Sequence, residues 1–340
     1  MNLRMVLTKN YKSFLFFLLL LIVIISLFSL VTGYLSISLS DIWSTITGEG
    51  TKRNQLLLIE FRLPRLLVAI LAGASLGVAG TLFQGVTQNE LADPGIIGIN
   101  SGAGLAVVLF LTVRSSQVSS STLINAISLP VAAFIGGLIA AVCIYMIAWK
   151  KGITPIRMLL VGIGINAGFG ALLTMLQLRM NERDFNQVAI WLSGSIWNAH
   201  WPAVFSLLPW TLLLIPISMY KARTLNILQL GDQMAVGLGV SLELERAKLV
   251  TIGVALAGVS VSVAGGISFL GLGAPHIARK LIGNKHERLL PVAACIGALI
   301  LLISDILARN LLAPAEVPVG IIVSILGAPY FLYLLVNSEN

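Results

Sequence analysis

The chain has 340 residues, of which 57% are hydrophobic and 11% are charged, and its mean hydropathy is +0.95. Roughly 25% of the residues in a soluble domain are charged, so this composition excludes a soluble protein and indicates many membrane spans. The formal net charge of +8 is better explained by basic loops at one membrane face than by nucleic-acid binding.

Apolar runs predict an all-α membrane protein with about ten helices in one domain that covers residues 1–340. The first run follows Arg4, Lys9 and Lys12 and lacks a clear small-residue cleavage site, so we interpret it as a retained helix. The eighth run is the weakest. The predicted spans are residues 14–34, 61–83, 95–113, 123–149, 157–178, 203–220, 247–265, 267–281, 289–309 and 318–336.

Basic residues predict the orientation. With the N-terminus inside, fourteen of the 22 Lys and Arg residues fall in inner segments and eight in outer ones. Because cytoplasmic loops collect basic residues, both termini are predicted to be cytoplasmic. The outer arginines include Arg62, Arg65 and Arg309, and such an outer excess is unusual enough to require a reason.

Two similar segments suggest an internal repeat. Leu71–Gly80 and Leu256–Gly265 are identical at seven of ten positions, and they lie on helices predicted to run in opposite directions. An inverted repeat is a common construction in transporters. The alternative is chance similarity among small residues.

A second similarity places amides inside predicted spans. IGINSGAG (residues 97–104) and IGINAGFG (residues 163–170) share six of eight residues and include Asn100 and Asn166. An amide in lipid is costly unless it is hydrogen-bonded or faces a wet cavity. Interhelical hydrogen bonding and pore lining both remain open.

A series of motifs in order along nearly the whole chain resembles the FecCD/BtuC-like permeases of type II ABC importers for iron siderophores and vitamin B12. The resemblance implies the BtuC-like fold with ten spans in the bacterial cytoplasmic membrane. The motifs are FRLPRLL (61–67), GTLFQG (80–85), NELADPGIIGINSGAG (89–104), LLVGIGIN (159–166), WLSGSI (191–196), LNILQLGDQMAVGLGV (225–240), GGISFLGLGAPHIAR (265–279), LLISDILAR (301–309) and AEVPVGIIVSILGAPYFLYLL (315–335).

The resemblance also implies the partners. These are a pair of cytoplasmic ATPases, a second permease of the same or a sibling sequence, an extracytoplasmic binding protein and membrane lipid. The chain has no Gly-Lys-Ser/Thr phosphate loop, so ATP hydrolysis is expected on another chain. A ferric siderophore is the favoured ligand, with cobalamin and haem as alternatives. No cofactor is expected.

Three arginines are candidates for docking the binding protein. The resemblance implies that Arg62 and Arg309 bind its acidic residues, which suits the forked geometry of guanidinium; the alternative is snorkelling to the interface. Arg65 is one turn from Arg62 and has either role. Glu60 and Asp305 are candidates to hold these arginines, and Asp305 is equally well placed for a local pair with Arg309.

Residues 222–246 are the candidate ATPase-coupling segment. The resemblance implies two short helices that sit in a cleft of the ATPase; the alternative is a loop that covers the bundle. Gly231 and Gly237 would permit tight turns. The remaining coupling candidates are Met234, Ala235, Val236, Leu238 and Gly239.

The translocation path is assigned from the same resemblance. The fifth span, with Asn166, is expected to line the path with Asn100, and Asn89, Glu90 and Leu91 match the inner gate. The family turn usually reads Asn-Pro-Leu-Ala, whereas this chain has Glu90 in place of the proline, which puts the rigidity of the turn in doubt.

Two other classes of function are disfavoured. An ion-driven transporter would need paired ionisable groups at mid-membrane, and only Asp305 lies well within an apolar run. A membrane enzyme would need clustered acids or histidines. Cys143, Cys295 and His276 lack metal-site spacing and are expected to pack.

Overall fold

The computed structural model describes residues 7–337 except 34, 36, 96–97, 116–121 and 151–153, and this part of the chain contains helices and no strand. Arg4 and Ile97 lie outside the described residues. A π-helical segment spans Leu56–Arg62. The helices are α1 (Tyr11–Val31), α2 (Leu39–Ile46), α3 (Lys52–Gln55), α4 (Leu63–Thr87), α5 (Ile99–Ser115), α6 (Thr122–Ala148), α7 (Pro155–Gln177), α8 (Glu182–Leu192), α9 (Trp201–Tyr220), α10 (Ala222–Leu228), α11 (Asp232–Gly237), α12 (Leu242–Ala264), α13 (Leu270–Ile282), α14 (His286–Asn310) and α15 (Val319–Asn337).

Every predicted span corresponds to a helix, which confirms an all-α membrane protein with several spans. Among the described residues, seven helices are long and apolar enough to cross a membrane, and α5 and α15 contain shorter apolar stretches. The weakest predicted span is α13, which has 13 residues. At 1.5 Å per residue it is about 20 Å long, which is less than the ~30 Å hydrocarbon core.

Small residues bring α4 close to its neighbours. A Cβ atom on Gly77 would lie 2.4 Å from the carbonyl oxygen of Ala293 on α14, and one on Gly80 would lie 1.7 Å from that of Gly271 on α13. The backbones therefore touch directly, as expected where lipid removes the hydrophobic drive for helix association. The repeat segment Leu71–Gly80 supplies both glycines.

The candidate site residues lie at two ends of the bundle. The arginine end carries Arg62, Arg65 and Arg309, and the loop end carries residues 88–95 and 222–246. Helix α4 runs from the arginine end to the loop end, whereas α12 starts at the loop end, so the two repeat segments run in opposite directions. This direction agrees with an inverted repeat, which stays a prediction.

Helix α7 is the least covered of the long helices. Only 6% of the most apolar stretch of this helix is buried within the chain. Cβ atoms added to its Gly164, Gly168 and Gly170 would meet no other atom within 4 Å. A long apolar surface with small residues is thus left open at the edge of this chain.

Candidate functional site

The arginine end is built around a buried carboxylate. Arg65 Nε lies 2.8 Å from Asp305 Oδ1, and Arg309 Nε lies 3.2 Å from Asp305 Oδ2. Arg65 Nη1 also lies 2.8 Å from Glu316 Oε2. Arg65, Arg309 and Asp305 are all buried. Asp305 thus holds Arg65 and also pairs with Arg309 on its own helix, as expected. Glu60, the other acid expected to hold these arginines, is in no ion pair of the described residues.

Hydroxyl and backbone carbonyl oxygens complete this cluster. Arg309 Nη2 donates to Ser29 Oγ at 2.7 Å. Arg62 is half-buried and donates to the carbonyls of Leu30 and Leu35. With three guanidinium groups and two carboxylates, the cluster holds an excess of one positive charge. Among the described residues, Arg62 is the arginine of this cluster that has no carboxylate partner.

The π-helical segment sets the position of Arg62. Pro64 has no N–H group to donate, and the N–H of Leu63 donates to the carbonyl of Leu58, five residues earlier. Such π-bulges are frequent at functional sites. The extra residue in this turn was not predicted from the sequence, although Pro64 signals an irregular helix start.

The turn after α4 is held by its own polar side chains. Gln88 adopts a left-handed conformation (φ 50°) and its Nε2 donates to the carbonyl of Leu228. The N–H of Leu91 donates to Asn89 Oδ1 at 2.9 Å, which forms a local Asx-type turn. These bonds order a turn in which the proline of the family pattern is missing.

Glu90 ties this turn to α13. Its carboxylate lies 3.4 Å from Arg279 Nη1 and 3.7 Å from His276 Nδ1, and Arg279 Nη2 donates to Gln84 Oε1 at 2.9 Å. Glu90 is exposed and Arg279 is buried. His276 thus contacts a charged pair, as well as the ring of Tyr330. This pairing could not be predicted from the sequence, because Glu90 lies more than 180 positions before His276 and Arg279.

Asp93 is a buried acid in the same connection. Its Oδ2 accepts a hydrogen bond from the N–H of Gly95 at 3.0 Å. Burial raises the pKa of the Asp93 carboxyl to about 6, and the bond from Gly95 opposes that shift. A Cβ atom on Gly271 would lie 2.6 Å from Asp93 Oδ1, so Asp93 also packs against α13.

The path residues lie at two depths. Asn100 is the second residue of α5, and it lies near Gly95 at the loop end of that helix. The helix starts at Ile99, several residues later than predicted. Asn166 is the twelfth residue of α7 and is half-buried in its middle. Leu91 is exposed at the loop end.

The candidate coupling segment forms two short helices, α10 and α11. Arg246 is buried and donates from Nη1 to Asp232 Oδ2 at 3.1 Å, which fixes α11 to the start of α12. The turns lie at Gly231 (φ 94°) and Gly239 (φ 82°). The expected turn at Gly237 is wrong, because Gly237 is the last residue of α11 and the chain reverses two residues later.

The coupling segment has one buried and one exposed apolar face. Leu225, Leu228 and Ala235 are buried in the chain. Ala235 therefore cannot offer surface to a partner, contrary to expectation, because it faces inward on α11. The side chains of Leu230, Met234, Val236 and Leu238 are 58–60% exposed. We call these four residues the coupling patch.

Comparisons with known proteins find similar sequences over almost the whole chain. The model of the FecCD transport family matches residues 19–337. The iron(3+)-hydroxamate import permease FhuG of Bacillus subtilis is 51% identical over 92% of this chain and 93% of its own length. The iron-uptake permease FeuC of the same species is 42% identical over 93% of this chain and 95% of its own length.

A solved structure shows the same fold. A metal-chelate type ABC transporter in an inward-facing conformation superposes with a TM-score of 0.85 and 29% identity, over 96% of this chain and 99% of that one. The described part of the present chain has no group of three or more His, Cys, Asp or Glu residues placed to hold a metal ion.

Proposed function

Since this chain belongs to the FecCD transport family, we propose that it is the permease subunit of an ABC importer that carries a ferric siderophore into the cytoplasm. The observation that carries this proposal is the 51% identity to an iron(3+)-hydroxamate permease over 92% of the chain. No residue of this chain is assigned a chemical step, and ATP hydrolysis is assigned to a separate cytoplasmic subunit.

The coupling patch is the proposed contact with that ATPase. Contiguous exposed apolar side chains mark interaction sites, and Met is enriched in protein interfaces. The pair between Arg246 and Asp232 holds α11 rigidly against α12, so a movement of the ATPase would be transmitted to a long helix. This role places the loop end, and both chain termini, in the cytoplasm.

The arginine end is the proposed dock for an extracytoplasmic binding protein. Positive charge there would steer acidic residues of such a protein. Arg62 is the best placed of the three arginines, because among the described residues its guanidinium donates to carbonyl oxygens and forms no ion pair. Arg65 and Arg309 are engaged by Asp305 and would support the dock from beneath.

A second permease is the proposed partner of α7. Close helix packing in lipid favours faces of small residues, and Gly164, Gly168 and Gly170 are open. Gly170 is one turn from Asn166 and shares its face of α7, whereas Gly164 and Gly168 lie on the opposite face. A second permease that faces Asn166 and Gly170 would enclose a path lined by Asn166. Asn89, Glu90 and Leu91 would close that path at the cytoplasmic end.

The test is uptake of radioactive iron by host cells that lack the gene. We expect uptake of a ferric hydroxamate siderophore to be lost and to return with the wild-type gene, while uptake of haem and cobalamin is unchanged. Loss of haem or cobalamin uptake with intact siderophore uptake would assign that ligand instead. Unchanged uptake of all three would contradict the proposal.

A further inference from the structure

Basic side chains gather where α1 and α14 begin. Arg288, in the first turn of α14, donates from Nη1 to the carbonyl of Thr8 at 3.0 Å. Its guanidinium carbon also lies 5.8 Å from the centre of the Tyr11 ring, which is a cation–π contact. Lys9 and Lys12 directly follow these two contact residues in the chain. The start of α1 is thereby fixed against the start of α14.

Lys285 adds a further positive charge, because it directly precedes the first residue of α14. The N-termini of α1 and α14 also bring the positive ends of two helix dipoles to the same place. Among the described residues, no ion pair includes Lys9, Lys12, Lys285 or Arg288. We call these four residues the basic cluster, and it has no carboxylate of this chain to balance it.

Glu287 is the acid that lies between two members of the basic cluster in the sequence, and it is bound to another element. Its Oε2 accepts a hydrogen bond from Asn226 Nδ2 on α10 at 2.7 Å. The Glu287 carboxylate is therefore held against the coupling segment. The charges of Lys285 and Arg288 are left for a partner from outside the described chain.

The exposed surface of α1 changes from basic to apolar within about one helical turn. Lys9, Lys12 and Phe16 are exposed and are spaced by three and four residues, so they share a face. Phe16 lies about 6 Å further along the helix than Lys12, at 1.5 Å per residue. Exposed Leu20 and Val23 continue this apolar face. A molecule that lies along it would meet positive charge at one end and apolar side chains along the rest.

The opposite side of α1 is occupied by the chain itself. Leu18 is buried in an apolar cluster with Leu289 and Val292 of α14. Only 17% of the most apolar stretch of α1 is buried within the chain. The packing of Leu18 therefore fixes the rotation of α1 and keeps the face with Lys12 and Phe16 turned outward, where lipid surrounds a membrane-spanning helix.

We propose that the basic cluster binds the phosphate of an anionic phospholipid, whose acyl chains lie along the exposed apolar face of α1. Basic pockets between membrane helices bind anionic lipid headgroups. Guanidinium N–H groups form strong hydrogen bonds with phosphate oxygens, and the bonds of Arg288 within the chain leave some of its five donors available. A zwitterionic lipid is a poorer match, because it brings a cation of its own. Free phosphate lacks the acyl chains.

The test titrates the purified full chain, in mild nonionic detergent, with dioleoylphosphatidylglycerol, dioleoylphosphatidylcholine or inorganic phosphate. A ligand that binds the folded state raises the melting temperature in proportion to its concentration and affinity, so melting curves give an apparent affinity. Lys12→Gln and Arg288→Gln each remove one charge of the basic cluster. Lys52→Gln is the matched control, because Lys52 is an exposed lysine at the other end of the bundle.

We expect phosphatidylglycerol to raise the melting temperature of the wild-type chain at concentrations where phosphatidylcholine and phosphate have little effect. Lys12→Gln and Arg288→Gln should each weaken the apparent affinity for phosphatidylglycerol about fivefold, which is the contribution of one basic side chain near an anionic membrane surface. Lys52→Gln should match wild type. If Arg288→Gln does not fold, Lys12→Gln decides, because Lys12 is exposed.

Three results would overturn the proposal. Equal affinities of Lys12→Gln and Lys52→Gln for phosphatidylglycerol would mean that the basic cluster serves only to orient the chain in the membrane. Equal stabilisation of the wild-type chain by phosphatidylcholine would remove the preference for an anionic headgroup. Equal stabilisation by inorganic phosphate would indicate an anion site that needs no lipid.

Discussion

Arg65 Nε lies 2.8 Å from Asp305 Oδ1, although the two residues are 240 positions apart in the sequence. Their pair joins the start of α4 to the end of α14. Asp305 also binds Arg309 on its own helix, so one buried carboxylate serves two guanidinium groups. Removal of the Asp305 carboxylate would therefore leave the guanidinium groups of Arg65 and Arg309 without this partner.

Replacing Asp305 by Asn should destabilise the protein. Breaking a buried ion pair by removing one partner costs about 3–5 kcal/mol, because the remaining charge is buried without compensation. We expect Asp305→Asn to lower the melting temperature in detergent markedly. Glu60→Gln is the matched control, since Glu60 is exposed and outside the cluster. Equal melting temperatures for the two variants would contradict the structural role of Asp305.

The contact between α4 and α13 predicts a second effect. Gly80→Ala would place a Cβ atom 1.7 Å from the carbonyl oxygen of Gly271. Such overpacking costs typically about 1–3 kcal/mol or more. Gly273→Ala, on α13, is the control because no atom lies within 4 Å of its Cβ position. In thermal denaturation, Gly80→Ala should melt at a lower temperature than Gly273→Ala. Equal melting temperatures would show that α4 and α13 do not approach as described.

Asp93 predicts a pH dependence at the loop end. Its pKa is raised to about 6 in the folded chain, against about 3.9 when unfolded. Between these values the folded state binds more protons, so the contribution of Asp93 to stability falls as pH rises from about 4 to about 6 and is constant above.

Replacing Asp93 by Asn should remove the pH-dependent contribution of this carboxyl to the free energy of unfolding. The amide oxygen can still accept the bond from the N–H of Gly95, so we expect the variant to be more stable than wild type at pH 7.5. The difference should shrink as pH falls toward 4.5. Melting curves of both proteins over that range provide the check, and a constant difference would contradict the assigned titration.

Much of the fold could be predicted from the sequence. Apolar length located the helices that match the ten predicted spans, because the bilayer fixes how many apolar residues a span needs. The only sign in the sequence that α13 is short is the weakness of its apolar run. Composition does not specify local backbone geometry. It therefore could not predict the π-helical turn before Pro64, or that the turn lies at Gly239 and not at Gly237.

The candidate site was predicted less completely. Arg62, Arg65 and Arg309 could be chosen as outer arginines, and Asp305 as a partner, from helix spacing. Glu316 and the pair of Glu90 with Arg279 could not, because their partners come from distant parts of the chain. The inward face of Ala235 likewise depends on how α11 packs.

Co-purification from native membranes in mild detergent tests most directly whether the coupling patch binds a cytoplasmic ATPase. Tagged wild-type chain should recover the ATPase in stoichiometric amount. Met234→Glu should lose most of it, because truncating or charging an interface anchor costs about 2 kcal/mol or more, or about 30-fold in affinity. Gln233→Glu adds the same charge on a neighbouring exposed residue outside the patch and should retain the ATPase. Recovery that is equal for wild type and Met234→Glu, or wild-type chain that is monodisperse without any ATPase, would contradict the account.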